Sequence, residues 1–181
     1  MFICAQIIGF LAMAANIVSY QFKRKQTVLI FQLIGAALFA VNMLMLGASM
    51  GFILNIISMI RAVVYMDRKR IQSITGYVNI GFVALYILSY ILVFTVFGKQ
   101  PTFINLITEM LPLIGMTVMT IGFSKTSAGA IRVSAFINSP CWLIYNIKSF
   151  SLGGIACEVL SLVSAISAHL RLNTNIKQEG E

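Results

Sequence analysis

Charge is scarce in this sequence, and acid scarcer still. Of 181 residues only 10% are charged, and five are Asp or Glu against thirteen Lys or Arg. Soluble domains carry about 25% charged residues, so there is too little polar surface here to wet a globule. Histidine occurs once, and the three cysteines (Cys4, Cys141, Cys157) lie singly inside apolar runs without CxxC spacing. That excludes a disulfide framework and a His/Cys metal cluster, and no metal or cofactor is expected. Neither a phosphate-binding glycine loop nor a Ser-His-Asp set can be assembled, so an enzyme is not expected either.

What is abundant is apolar surface: 59% of the residues are hydrophobic and the mean hydropathy is +0.93. The class is membrane protein, with the lipid bilayer as first partner. A formal charge of +8 can signal nucleic acid, but here the basic residues sit in short segments between apolar runs. They read as topology control at an anionic membrane face, with no nucleic-acid partner. The N-terminal MFICAQIIGFLAMAANIVSYQFKRK lacks the basic start of a signal peptide; its positive cluster follows the apolar run. It reads as a retained first span with its N-terminus outside.

Runs long enough to cross roughly 30 Å of hydrocarbon, about 17–25 residues each, fall near 2–20, 26–46, 50–66, 76–97, 103–123, 128–147 and 151–170. Lys23, Arg24 and Lys25 follow span one, and Arg68, Lys69 and Arg70 follow span three. Lys125 and Arg132 flank the turn after span five, and Arg171 and Lys177 follow span seven. The opposite side holds only Lys99 and Lys148. Basic loops stay cytoplasmic, which puts the N-terminus outside and the C-terminus inside.

The halves resemble each other. Residues 31–51 can be laid on 137–157, matching Gly47 to Gly153 at a spacing of 153 − 47 = 106. Two three-span units share one orientation only if an extra span separates them, and span four has no counterpart. The expected architecture is an all-α membrane protein of seven transmembrane helices, three plus one plus three. Residues 1–70 form the first repeat, 71–100 the linker helix and 101–172 the second repeat; 173–181 form a disordered cytoplasmic tail.

Depth along the spans, at about 1.5 Å per residue, brings Asn42, Asn55, Glu109, Trp142, Tyr145 and Glu158 to comparable levels in the outer half, with Asn146 near its rim. Asn42 and Asn55 also fit plain interhelical hydrogen bonds, worth about 0.6 kcal/mol each, and Trp142 with Tyr145 also fits an aromatic belt. An acid within a span costs about 2.5–3.5 kcal/mol unless paired, protonated or wet. Glu109 and Glu158 are therefore expected to face one cavity, where desolvation and mutual repulsion keep a proton on at least one. The alternative is a structural ion pair of Glu109 with Arg61 or Arg132, although both arginines sit where snorkelling to the cytoplasm is easy. Pro112 and Pro140 interrupt spans five and six, and Gly9 and Gly35 stand at the matching places of the first half. These four are candidate hinges, or else packing devices.

LGASMGFILNIISMIRAVVY, EMLPLIGMTVMTIGF and SPCWLIYNIKSFSLGGIACEVLSL resemble the YgjV family of bacterial inner-membrane proteins, over roughly residues 5–172. More remotely, the three-plus-one-plus-three plan is similar to the SWEET sugar facilitators and the PnuC vitamin transporters. The SWEET resemblance implies that Asn55, on the third helix of a repeat, faces a solute. The second repeat departs: at the spacing of 106, Ser161 matches Asn55, with Glu158 one turn earlier. The expectation is a transporter or facilitator of a small polar solute, working by alternating access around a central cavity. Asn55, Trp142, Tyr145 and Asn146 would contact the solute; Glu109 and Glu158 would set polarity or accept a proton. A homo-oligomer is compatible with this. The rival is a membrane receptor or scaffold on the same fold that does not transport.

Overall fold

The computed structural model describes residues 1–19, 21–22, 24–125 and 128–163, without the side chains of 68, 69, 128, 129 and 132. The end of span seven with His169, the basic residues Lys23, Arg171 and Lys177, and the tail 173–181 lie outside the described residues. Every regular element among those described is helical. They are α1 (Phe2–Ser19), α2 (Lys25–Met45), α3 (Ser49–Met66), a short α4 (Arg68–Ile71) running into a 3-10 turn (Gln72–Ile74), α5 (Thr75–Thr95), α6 (Phe103–Ser124) and α7 (Ala128–Lys148). A final helix, α8, is described over Leu152–Val163. The predicted spans fall on these helices to within two residues wherever both ends are described. Helix α4 is the addition: the stretch reads in sequence as a basic loop.

At about 1.5 Å per residue, a helix of 20 residues covers about 30 Å, the hydrocarbon thickness. Helices α1, α2, α3, α6 and the segment Gln72–Thr95 are long and apolar enough to cross a membrane. Helix α7 is more polar, because Arg132, Ser134, Asn138 and Ser139 lie along it. The outward surface is apolar, with Ile3, Ile80, Ile104 and Val133 each at least two-thirds exposed. Such a surface is unfavourable in water and matched to lipid.

Helix α2 packs between α1 and α3, and α6 packs on α7. Helix α5 lies against α3 and α6, and buries only the stripe Phe82, Tyr86, Ser89 and Val93. That 4-3-4 spacing is one narrow helical face, as expected of a helix at the periphery. Helices α1 and α8 meet backbone to backbone: a Cβ on Gly153 would overlap the Gly9 peptide.

Two of the turns are built alike. Leading out of α2, the amides of Leu46, Gly47 and Ala48 bond to the carbonyls of Asn42, Leu44 and Met43. Leading out of α7, those of Ser149, Phe150 and Ser151 bond to Tyr145, Ile147 and Asn146. Each pair is displaced by the same amount, 150 − 47 = 103, and so are the bounds of α2 and α7 and the starts of α3 and α8. The register is therefore 103 and not the 106 obtained by matching Gly47 to Gly153. Glycine misleads here because the left-handed residue of the second turn is Phe150 (φ 53°), the counterpart of Gly47 (φ 69°). Gly153 serves a different purpose, the contact with Gly9.

Candidate solute cavity

A cavity of about 80 Å³ lies among α1, α2, α3, α6, α7 and α8. Helix α5 contributes nothing to its lining. The register of 103 reappears around it. Asn16 and Met119, Phe39 and Trp142, Met43 and Asn146, Asn55 and Glu158, and Ser58 and Ser161 all line the cavity, and each pair is 103 residues apart. On both α3 and α8 the lining residues are spaced three apart (Asn55 with Ser58, Glu158 with Ser161), which keeps them on one face.

The polar lining is underused by the protein itself. Asn55 donates from Nδ2 to the Gly51 carbonyl at 2.8 Å. Asn146 is buried, and its Oδ1 has no partner; the same holds for Oδ1 of Asn138. Burying a polar atom unpaired costs about 1–3 kcal/mol, so these are atoms with unspent bonding capacity beside a cavity. Asparagines also sit over glycines in each helix pair: a Cβ on Gly35 would come within 2.7 Å of Asn16 Oδ1, and one on Gly115 within 2.9 Å of Asn138 Oδ1. Only glycine leaves room for these two amides between α1 and α2 and between α6 and α7.

Arg61 is buried, 3% exposed. Its Nη1 donates to the Tyr86 hydroxyl (3.3 Å), the Met116 carbonyl (3.2 Å) and the Thr120 hydroxyl (3.2 Å), and its plane lies over the Phe123 ring at 4.5 Å. The expected snorkelling does not occur; hydroxyls and a ring face hold the guanidinium inside instead. Nη2 has a single long bond, 3.4 Å to Ser58, and Nε has no partner.

Four of the six sequence-derived site residues, Asn55, Trp142, Asn146 and Glu158, line the cavity; Glu109 and Tyr145 do not. Glu109 is fully buried and ion-paired with Lys99, with the Lys148 ammonium at 3.8 Å. Its partners are thus the two lysines of the sparsely charged side, not Arg61, and the Arg132 side chain is outside those described. The residues before α6 fold back so that Lys99 lies over the helix that carries Glu109. Lys148 also donates to Asn105 Oδ1 (2.6 Å) and to Thr108. Tyr145 accepts from the Gly51 amide at 2.8 Å, and its ring meets Trp142 edge-on at 5.6 Å.

These contacts close one end of the bundle, hereafter the turn end. There Gln6 donates to the Phe150 carbonyl (2.8 Å) and accepts from the Leu152 amide (2.9 Å). Asn42 donates to the Ala5 carbonyl and accepts from Ser151, both at 2.7 Å. Of the four hinge candidates, Gly9 is clamped between Asn42 and Gly153, Gly35 lies under Asn16, Pro112 is buried inside α6, and Pro140 faces outward on α7.

Sequence reasoning did not place Asn16, Ser58, Arg61, Asn138 or Ser161 in the site. The signal was present: at a spacing of 103, Asn55-x-x-Ser58 falls on Glu158-x-x-Ser161. Among the described residues no three His, Cys, Asp or Glu side chains gather to hold a metal. A family model described as a bacterial inner membrane protein, YgjV, matches residues 3–176. No match was found among curated proteins or solved structures.

Proposed function

The chain is a member of the YgjV family of bacterial inner-membrane proteins, and from that premise we propose that it carries a small polar solute across that membrane. In this reading it has seven spans arranged three plus one plus three, with its N-terminus outside, and the turn end faces away from the cytoplasm. The observation that carries the reading is the cavity: six helices enclose it, five pairs of its lining residues share one register, and buried amide oxygens beside it lack partners. Symmetric halves around one site suit alternating access, because rocking one unit against the other opens either mouth about the same residues. The turn end is held by crosswise ties between the units (Gln6, Asn42 and Tyr145), whose parting would open that mouth. At about 80 Å³ the cavity is far below the roughly 300–1,000 Å³ of drug-sized pockets, so the solute is small.

The test is a thermal-shift screen of small polar metabolites on the purified protein, with each stabilising compound then followed by counterflow in proteoliposomes. Exchange of a labelled compound that Ser58→Phe abolishes is the expected result. A compound that binds in the cavity but never crosses would select the receptor reading.

A further inference from the structure

An acidic and a basic side chain line this cavity without pairing with each other. Glu158 enters from α8 and Arg61 from α3, and no ion pair joins them among the described residues. Every bond that Arg61 makes goes to a neutral group: hydroxyls, a carbonyl and the Met116 sulfur. A buried cation held this way is costly unless a counter-charge arrives, because desolvation removes several kcal/mol that dipoles only partly return. The bonds are also lopsided. Nη1 makes four of these bonds, while the edge formed by Nε and Nη2 holds one 3.4 Å bond and an orphan donor. That edge is the two-pronged fork which matches a carboxylate bidentately.

Glu158 is the counterpart of Asn55 at the register of 103, and Arg61 follows Asn55 by six residues. Six residues are about 9 Å of rise along α3, so in that register Arg61 lies deeper from the turn end than the level of Asn55 and Glu158. A molecule with a carboxylate and an ammonium on adjacent carbons can offer one end to each level. Phe39 and Trp142 also line the cavity, and the free amide oxygens of Asn138 and Asn146 are acceptors suited to an ammonium. A dianion such as phosphate would set a second negative charge against Glu158.

Building on the carrier reading, we infer that the solute is a small zwitterion of α-amino-acid size, its carboxylate on the Nε–Nη2 edge of Arg61 and its ammonium toward Glu158. The experiment uses full-length protein and four compounds of nearly equal size: glycine, glycolate, ethanolamine and ethylene glycol. L-alanine and L-serine extend the zwitterions, and glycerol and glucose extend the neutral set. Glycine or its two homologues raise the melting temperature, while glycolate, ethanolamine and ethylene glycol bind at least tenfold more weakly. Glu158→Gln and Arg61→Gln each weaken zwitterion binding at least tenfold. Should Arg61→Gln not fold, Arg61→Lys, which keeps the charge and loses the fork, still weakens it, and Glu158→Gln stands alone as a test. If glycerol or glucose binds as well as glycine, or binding survives Glu158→Gln unchanged, the zwitterion assignment falls and the carrier reading stands. If no compound in the panel or in the wider metabolite screen binds, both fall.

Discussion

Glu109→Gln isolates what the buried carboxylate contributes to closing the turn end. The substitution keeps shape and hydrogen-bonding atoms but removes the charge opposite Lys99 and Lys148. Breaking a buried pair costs about 3–5 kcal/mol, mostly from the charge left uncompensated. Here the orphaned charges are lysines whose side chains are 29% exposed. They can swing towards water, so the cost belongs at the low end, about 3 kcal/mol. For a chain of this length 1 kcal/mol moves the melting temperature by about 2–4 °C, so a fall of about 6–12 °C is expected. Trp142 is the only tryptophan and meets Tyr145 edge-on beside this network, so its fluorescence reports the transition directly. Because the carboxylate is fully buried, raising salt should rescue little of the loss. Lys99→Met alone should cost less, since Lys148 remains, and the two changes together should show a coupling of about 1–2 kcal/mol. A Glu109→Gln protein that melts within about 2 °C of the parent, with no coupling to Lys99, would refute the ion pair as a stabilising tie.

Gly153→Ala places a methyl group into the Gly9 backbone, where no flexible side chain can yield; it should destabilise the closed turn end by about 1–3 kcal/mol and raise thiol labelling of a cysteine placed at Ser151. Phe150→Gly relieves a left-handed residue with a Cβ and should add about 1 kcal/mol, seen as a higher melting temperature, whereas Phe150→Ala keeps the clash and should add nothing. Cysteines at Ser73 and Ser124 should react with an impermeant reagent only from the cytoplasmic side, and one at Gln100 only from outside; the reverse pattern would invert the proposed orientation.

The helices were legible because apolar runs and basic punctuation are one-dimensional signals, and their ends fall close to where the chain turns. The register between the halves was not. Matching glycine to glycine is sound only when both glycines do the same work. Gly47 supplies a positive φ, while Gly153 supplies the absence of a side chain against α1. The strained Phe150, which performs the task of Gly47, looks like any apolar residue in sequence. Once the register is 103, Glu158 falls on Asn55, so the departure noted at a spacing of 106 becomes an amide-to-acid exchange at one place. Arg61 was misjudged for a related reason. Depth along a span indicates that snorkelling is affordable, but not that Tyr86 and Thr120 from two other helices (themselves 2.8 Å apart) converge on the guanidinium and hold it inside.

The same register brings Gln6 onto Glu109 and Asn42 onto Tyr145, the four residues on which closure of the turn end rests. Equivalent places thus hold ties of unequal chemistry. On one side Gln6 and Asn42 make neutral bonds to the α7–α8 turn and to α1, each contributing about 1 kcal/mol net and replaceable by water on opening. On the other, Glu109 holds two lysines in a site from which its own charge is wholly withdrawn from solvent. Neutral bonds exchange for water at little cost, but a buried carboxylate that loses its cations must first be hydrated or protonated. In the carrier reading, parting the turn end is therefore not a symmetric event. The α1–α8 contact can loosen first, with Gly9 and Gly153 sliding apart, while the α6–α7 side yields only when Lys99 or Lys148 leaves Glu109. The charged tie, outside the cavity and beyond the reach of the solute, then sets how often that mouth opens.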